Sequence, residues 1–331
     1  MDILYICAFL IKNIIGTLKK WNAKRDLARW ISRKSELITN RNNAIRIEEL
    51  GLNENNLKLV KENLEKTKQV VIATIDQDGF FLSYFGPIEG VPCISQENFL
   101  PRKKLPIDLV TIDGLVGIKK NYWDQMTNPS TGSSRERKAK LKNYKILFLR
   151  EIEALYFLTK AGCNVPTIME VDFKNCSLTF SYIPGKVLRE ELASSGAILR
   201  DRDVDENFQF NQLPPAARKI KRIEEGRKFL RHIVDEEFIE KLFDQIRKIH
   251  SAGFRINDIK YGNVIIDKKT GNPYLIDFES SENLTGLGHH LSGVLFDDDI
   301  KNFNLLFGTD KPTYQSLKRM NPNREFQLPE K

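Results

Sequence analysis

Apolar and polar positions along the chain predict a strand-rich region followed by a helix-rich one. Between residues 69 and 123, short apolar runs flank Asp-Gln-Asp-Gly at 76–79 and Asp-Gly at 113–114, a pattern typical of β-hairpins. Strand character returns in VPTIMEVDF and SLTFSYI, and it ends at Pro184-Gly185. We therefore predict that residues 69–123 form an antiparallel sheet and that strands resume before residue 184.

Two longer segments repeat apolar residues at helical spacing. The segments 144–162 and 236–253 both do so, and both end at a glycine. Residues 47–68 have the pattern of a polar helical connector, whereas the Ser, Gly and Pro content of 124–142 predicts a mobile surface loop. Further along, NVIID and YLIDF flank the turn KKTGNP and predict a hairpin of short buried strands.

Composition limits the class of protein. The chain has 331 residues, of which 41% are hydrophobic, so it can bury a core and is not disordered throughout. Its four cysteines, Cys7, Cys93, Cys163 and Cys176, show no CxxC spacing. This argues against a zinc site and a disulfide framework, and it favours a reducing compartment.

The positive charge is concentrated in the first 46 residues. They contain ten Lys/Arg against three Asp/Glu, while the whole chain has a net charge of +8. The remainder is therefore close to neutral, and nucleic acid is not expected as a partner.

This basic arm begins with the apolar run Ile3–Ile11, which is too short to span a bilayer because a spanning helix needs about 20 apolar residues. Apolar residues then recur at helical spacing while basic residues accumulate from Lys19 onward. We expect a helix within this arm of residues 1–46 that lies on an anionic membrane surface, so that the protein is cytoplasmic and peripheral on the inner face of a membrane. The alternative is a helix that packs on the main domain or on another copy of the chain.

Candidate chemistry lies between residues 258 and 277. Asp258, Lys260 and Asn263 occur in DIKYGN, and Asp277 follows the predicted hairpin. Phosphoryl transfer needs in-line positioning and neutralisation of phosphate oxygens rather than covalent catalysis. Asp258 can accept the proton of an acceptor hydroxyl, and Lys260 can reach the transferring phosphate. Asn263 and Asp277 offer the oxygen ligands that Mg²⁺ prefers.

DIKYGN followed by LIDF resembles the catalytic loop and the metal-binding Asp-Phe of protein-kinase-like enzymes. Upstream, Val116-Gly-Ile-Lys119 is similar to the strand-borne VAIK lysine of that family, and Phe148-Leu-Arg-Glu151 is similar to its helix-borne glutamate. The resemblance implies that Lys119 binds the α- and β-phosphates of ATP and that Glu151 holds this lysine. It also implies ATP and Mg²⁺ as cofactors.

The same resemblance implies an α+β, two-lobed protein-kinase-like fold with a compact, shortened C-lobe and an N-terminal helical extension. The extension and connector would comprise residues 1–68, the N-lobe 69–183 and the C-lobe 184–331. Adenine is expected against the linker near Tyr182 and Ile183.

Departures from the usual protein-kinase pattern refine the family. Ile256-Asn257 stands where typical protein kinases have His-Arg, and Asp277-Phe-Glu279 replaces Asp-Phe-Gly. Only about 20 residues follow before the acidic cluster Asp297–Asp299, which we expect to begin the final helix. This short span leaves little room for a peptide-docking platform. These features resemble the bacterial lipopolysaccharide core-sugar kinases of the Kdo/heptose kinase type and, more distantly, the RIO-type atypical kinases.

Some assignments stay open. Lys120 and Glu153 compete with their neighbours for the roles of Lys119 and Glu151. Asp299 is expected either to brace the catalytic loop from below or to act as a charge at a helix N-terminus.

The expected glycine-rich loop is missing, because no GxGxxG precedes Lys119. Arg102–Lys104 or the glycines Gly86 and Gly90 are the candidates to approach the phosphates instead.

Three functions therefore remain: a Mg/ATP-dependent kinase for a hydroxyl of a saccharide or membrane glycolipid, a RIO-like protein serine/threonine kinase or ATPase, and a catalytically silent kinase-fold scaffold at a membrane.

Overall fold

The computed structural model describes residues 44–75, 81–83, 107–122, 134–197, 214–285 and 289–320. The predicted amphipathic helix of the basic arm, the turn at 76–79 and the candidate phosphate-binding residues Gly86, Gly90 and Arg102–Lys104 lie outside these residues. Within the described ranges, no helix is both long enough and apolar enough to cross a membrane.

The described chain mixes helices with antiparallel strands, which confirms the predicted α+β class. The strands are β1 (Gln69–Ile75), β2 (Phe81–Ser83), β3 (Ile107–Ile112), β4 (Leu115–Asn121), β5 (Ile168–Asp172), β6 (Ser177–Ser181), β7 (Gly185–Val187), β8 (Phe254–Arg255), β9 (Val264–Asp267), β10 (Pro273–Leu275) and β11 (Glu282–Asn283). The helices are α1 (Glu54–Lys66), α2 (Ser134–Lys160), α3 (Leu188–Ser194), α4 (Pro215–Ile233), α5 (Glu236–Ser251), α6 (His289–Phe307) and α7 (Tyr314–Met320). Short 3₁₀ helices cover Ile47–Leu50 and Tyr261–Asn263.

The chain divides into two compact units. The first comprises the described residues up to Tyr156 together with Pro166–Tyr182, and the second comprises Phe157–Val165 together with the described residues from Ile183.

A six-stranded antiparallel sheet in the order β2-β1-β3-β4-β6-β5 forms the centre of the first unit. The predicted hairpin of β3 and β4 is confirmed, and it turns at Asp113 and Gly114 with φ of 53° and 78°. Two consecutive positive φ values identify the twisted type I′ turn, and Asp-Gly is a preferred sequence for it. This hairpin places β4 in the interior of the sheet, between β3 and β6.

Helix α1 confirms the predicted helical connector and packs on this sheet. It begins after Asn53, whose side chain accepts a hydrogen bond from the backbone N–H of Asn56 and so caps the helix. Val60 of α1 is fully buried in a cluster with Ile72 and Val116. The burial of apolar side chains therefore attaches the connector to the sheet.

Helix α2 is longer than the apolar pattern indicated. It begins at Ser134, so residues 134–142, which we predicted as part of a loop, are helical. Their sequence, SRERKAKLK, is rich in Arg, Glu, Lys, Ala and Leu, which favour helix even without an apolar stripe. Pro129 and Gly132, which carried the loop prediction, lie outside the described residues.

In the second unit, the predicted helix of residues 236–253 is confirmed as α5. Asp235 caps its first turn by accepting a hydrogen bond from the Phe238 N–H. Residues such as Leu242 and Ile246 are buried on one face. The chain leaves the helix at Gly253 with φ 84°, a conformation that glycine adopts without strain, and then enters β8.

The predicted hairpin is also confirmed, with β9 paired to β10. Strand β7 joins the other edge of β9, and a Cβ at residue 185 would lie only 2.1 Å from the carbonyl oxygen of Ile266. Gly185 therefore allows β7 to approach β9 closely. The expectation that Asp297–Asp299 begin the final helix is wrong. These residues lie in the interior of α6, which begins at His289, and α7 follows it.

Candidate active site

A buried ion pair joins the central strand of the first unit to its long helix. The Nζ of Lys120 on β4 lies 3.1 Å from Oε2 of Glu151 on α2, and the two side chains are only 9% and 1% exposed. Burial removes both charges from water, a cost that is offset only if the pair stays intact. A lysine on an interior strand that is held by a glutamate on a helix is the arrangement that protein kinases use to bind the α- and β-phosphates.

The predicted pairing of Lys119 with Glu151 is wrong by one residue. Successive side chains of a strand point to opposite faces of the sheet. Lys119 therefore points away from the face of Lys120, and its Nζ donates to Oε1 of Gln69 at 2.9 Å. Lys120, the competing candidate, has the partner that we expected for Lys119.

Aromatic packing supports the buried pair. The Lys120 Nζ lies 5.1 Å from the centroid of the Tyr122 ring, within the range of a cation–π interaction. The Tyr122 ring in turn packs edge-on against Phe148 of α2 at 5.5 Å between centroids. The ring of Tyr122, directly after β4, thus adds a second contact between this end of the strand and α2.

The second unit contains the residues of the DIKYGN motif. The Lys260 Nζ lies 2.5 Å from Oδ2 of Asp258 and 3.9 Å from Oδ2 of Asp277. Asp258 and Asp277 remain 38% and 28% exposed. Two accessible carboxylates that flank one ammonium group are suited to bind a cation or to accept a proton.

Asn263 is buried at the end of the same loop. Its Nδ2 donates to the backbone oxygen of Asp258 at 3.0 Å and to Oδ2 of Asp258 at 3.3 Å. Its own backbone oxygen accepts a hydrogen bond from the Ile276 N–H at 3.0 Å, next to Asp277. These bonds bring Asp258, Asn263 and Asp277 into one region of the second unit, and they leave Oδ1 of Asn263 as the atom that could ligate a metal.

Asp277 and Asn257 have positive φ values of 66° and 67°. Asp and Asn tolerate this left-handed conformation better than other non-glycine residues. The side chain of Asn257, which stands in place of the usual arginine, donates to the carbonyl oxygen of Ser280 at 2.9 Å. It therefore acts as a tether for the segment after Asp277 rather than as a cationic group.

Asp299 on α6 braces the segment directly before Asp258, which agrees with the first of the two roles expected for it. Its carboxylate accepts hydrogen bonds from the N–H of Ile256 at 2.8 Å and of Asn257 at 3.0 Å. Oδ2 also lies 3.0 Å from Nε2 of the buried His250. A position in the helix interior rules out the alternative of a charge at a helix N-terminus. Spacing alone gave no signal for His250.

A neighbouring ion pair holds the strand that leads into the loop. The Nη2 of Arg255, which is buried on β8, lies 2.5 Å from Oδ2 of Asp298. Each of the two adjacent acids on α6 thus has a separate contact with the segment before Asp258.

Tyr182 and Ile183, the expected adenine contacts, are both buried. Tyr182 packs in the same apolar cluster as Val60 and Val116, and its N–H donates to the carbonyl oxygen of Val116 at 3.2 Å. A contact of these residues with adenine stays a prediction, as does the role of every site residue in binding or catalysis.

Comparisons with known proteins give similarity at the level of structure only. No protein-family model matches the chain, and no curated protein matches it. Solved structures that are similar include a Rio2 kinase–ADP/Mg²⁺–phosphoaspartate complex from Chaetomium thermophilum, with 15% identity and a TM-score of 0.39, covering 66% of this chain and 58% of that one.

Two further similar structures are the bifunctional kinase-methyltransferase WbdD, with 18% identity and a TM-score of 0.34, and the Cydia pomonella granulovirus kinase PK-1, with 14% identity and a TM-score of 0.32. The matches cover 61% and 70% of this chain, and 41% and 58% of theirs. The chain thus spans less than two thirds of each of these structures. The fold is α+β and protein-kinase-like. Its elements include a strand lysine paired with a helix glutamate, and a loop of DIKYGN type before a short hairpin.

Proposed function

We propose that the chain is a Mg/ATP-dependent phosphotransferase that moves the γ-phosphate of ATP to a hydroxyl of a saccharide or membrane glycolipid, such as a lipopolysaccharide core sugar. The observation that supports it best is the arrangement of Asp258, Asn263 and Asp277 around Lys260 in the second unit. It supplies a base, two metal ligands and a cation for a reaction that needs little else from the protein.

Asp258 takes the proton of the attacking hydroxyl. Its Oδ2 is held by Lys260 and by the Asn263 amide, so the carboxylate has a fixed direction before an acceptor arrives. A positioned base of this kind contributes about 10²- to 10⁴-fold to a rate. Lys260 remains half-exposed and can move from Asp258 to the transferring phosphate.

Asn263 and Asp277 are the proposed magnesium ligands. An amide oxygen and a carboxylate from this chain, completed by phosphate oxygens and water, match the oxygen ligands that Mg²⁺ takes in kinases. Bound Mg²⁺ would neutralise charge on the phosphate oxygens. The fixed backbone bond between Asn263 and Ile276 keeps the two ligands in register before any metal binds.

Lys120 takes the role that we first assigned to Lys119 and binds the α- and β-phosphates, with Glu151 holding its ammonium group. Adenine is proposed to contact the linker at Tyr182 and Ile183. The saccharide or glycolipid acceptor is favoured over a protein by the replacement of the His-Arg prefix, by Asp277-Phe-Glu279 and by the span of only about 20 residues between Asp277 and the acidic cluster Asp297–Asp299. The basic arm of residues 1–46 is proposed to hold the protein, as a cytoplasmic peripheral protein, on the inner face of a membrane.

The test is to incubate the full chain with γ-labelled ATP and either a membrane glycolipid extract or a protein extract, beside the Asp258→Asn variant. We expect label in the lipid fraction from the wild type and almost none from the variant. Label in the protein fraction would instead support a RIO-like protein kinase. Absence of Mg-dependent ATP binding by the wild type would contradict both enzymes and leave the scaffold.

A further inference from the structure

One face of the sheet in the first unit links the proposed phosphate and adenine contacts. Residues two apart on a strand share a face, so Val116, Ile118 and Lys120 of β4 point the same way. Tyr182 lies beside the start of this row, because its N–H donates to the carbonyl oxygen of Val116 at 3.2 Å. An ATP molecule with its phosphates at Lys120 and its adenine at Tyr182 would therefore extend along this face, over about 13 Å of strand.

A segment that precedes β1 packs on the same face. Residues 47–66 comprise the first 3₁₀ helix and α1, and we call them the strap. Ile47 of the 3₁₀ helix and Val60 of α1 are 1% and 0% exposed, and they belong to one buried cluster with Val116 and Tyr182. The strap thus rests on the part of the face that lies toward Tyr182.

This packing leaves little of the apolar face for a purine base. Val116 is fully buried and Tyr182 is only 9% exposed, and Ile118 packs against the same cluster. Because protein interiors are close-packed, a base can stack on these side chains only by replacing the apolar groups that now contact them. The strap and an adenine base on this face therefore exclude each other.

Apolar burial is the main hold on α1. The helix is linked to the 3₁₀ helix by Lys61, whose Nζ lies 2.7 Å from Oε1 of Glu48, but both side chains are about half exposed. Exposed ion pairs of this kind contribute little to stability. Leu59 is 47% exposed on the outer side of α1, whereas Val60 is fully buried against the sheet. The contacts of Val60 and its apolar neighbours therefore decide whether α1 stays in place.

We infer that the strap is an autoinhibitory element, which covers the face of the sheet where adenine binds, so that ATP binds only when α1 moves away. This inference rests on the proposed function, because it concerns the same ATP site, and it deepens that function by adding regulation. The apparent dissociation constant equals the intrinsic one divided by the fraction of molecules in the open state. An open fraction of about one tenth therefore weakens ATP binding about tenfold.

The test compares Val60→Asn with Leu59→Asn, two adjacent substitutions on the buried and the exposed side of α1. Calorimetric titration of the full chain with Mg²⁺ and a non-hydrolysable ATP analogue measures the affinity of each form. We expect Val60→Asn to bind the analogue about tenfold or more tightly than the wild type does, because a buried amide without a partner weakens the strap. Leu59→Asn should bind as the wild type does. Equal or weaker binding by Val60→Asn than by the wild type would overturn the inference.

A second measurement needs no substitution. In the wild type, the backbone amides of residues 54–66 should exchange faster with deuterium when the protein is saturated with Mg²⁺ and the analogue, because the bound base keeps α1 away from the sheet. Unchanged or slower exchange would contradict the inference, even if Val60→Asn did not fold.

Failure of the inference and failure of the proposed function give different results. If Val60→Asn binds the analogue more tightly but no form of the protein transfers phosphate from ATP, the autoinhibitory strap is supported and the proposed function is wrong. If neither the wild type nor Val60→Asn binds the analogue, both are wrong.

Discussion

Lys120 and Glu151 form a buried ion pair, with 3.1 Å between Nζ and Oε2, while the adjacent Lys119 contacts Gln69 instead. The two lysines are neighbours in sequence, but they lie on opposite faces of one strand. Only Lys120 is therefore in the position of a kinase lysine. Substitutions of Lys119 and Lys120 can therefore be compared as a matched pair of variants.

We predict that Lys120→Met weakens binding of Mg–ATP by about tenfold or more, because a charged contact with phosphate is lost. Lys119→Met should bind ATP as the wild type does. Calorimetric titration with ATP and Mg²⁺ measures both affinities.

Because Lys120→Met leaves the Glu151 carboxylate buried without its cation, it should also lower the free energy of unfolding by about 3 to 5 kcal/mol. Lys120→Met/Glu151→Gln restores neutrality and serves as the folded form for the titration. Equal ATP affinities for the Lys119 and Lys120 variants would contradict the assignment.

The same strand shows what the sequence could and could not predict. The resemblance to VAIK selected Lys119, yet the period of two along β4 places Lys120 on the face of Val116 and Ile118. That alternation was available in the sequence and identifies the right lysine. Motif spacing therefore located the strand and the helix, whereas strand periodicity was needed to choose the residue.

Asp299 shows a different limit. Its carboxylate is 42 or 43 residues away in the chain from the backbone groups that it binds, and no local pattern encodes such a contact. The acidic cluster suggested a brace, but its contact with His250 and its place inside α6 follow only from the packing of α5 and α6. Hairpins and capped helices, by contrast, are local and were predicted well.

We predict that Asp299→Asn lowers the free energy of unfolding by about 2 to 4 kcal/mol, since one amide oxygen cannot accept both backbone hydrogen bonds. It should also lower kcat while changing the KM for ATP little, because the segment before Asp258 loses the hydrogen bonds that hold it. Asp244→Asn on α5 is the control, because its side chain is 69% exposed and lies 3.9 Å from the exposed Arg247, and such a surface contact contributes about 1 kcal/mol or less. Denaturant unfolding and steady-state kinetics test the pair, and similar losses in both variants would contradict the brace.

Asp277→Asn should keep the fold and change the metal dependence. Asparagine tolerates the φ of 66° at this position, so the free energy of unfolding should change by less than about 1 kcal/mol. Loss of the carboxylate weakens Mg²⁺ binding, so activity should saturate only at a higher Mg²⁺ concentration. A titration of activity against Mg²⁺ measures this, and an unchanged midpoint would remove Asp277 from the metal site.

Burial raises the pKa of the Cys163 thiol to about 11. At about pH 8 the folded protein therefore has roughly a hundredfold less thiolate at this position than an unperturbed cysteine. We predict that iodoacetamide modifies Cys163 slowly in the native protein and rapidly in guanidinium chloride, as followed by mass spectrometry. Rapid modification in the native protein would contradict the burial of this residue after α2.

If the protein is a kinase of the proposed type, the γ-phosphate of ATP is the group transferred. The most direct measurement compares label from γ-labelled and α-labelled ATP in a membrane glycolipid extract, with the wild type and with Asp258→Asn, in the presence and absence of Mg²⁺. We predict label from γ-labelled ATP alone, dependent on Mg²⁺ and reduced by about 10²-fold or more in Asp258→Asn. Label from α-labelled ATP, or transfer that persists in Asp258→Asn, would contradict it.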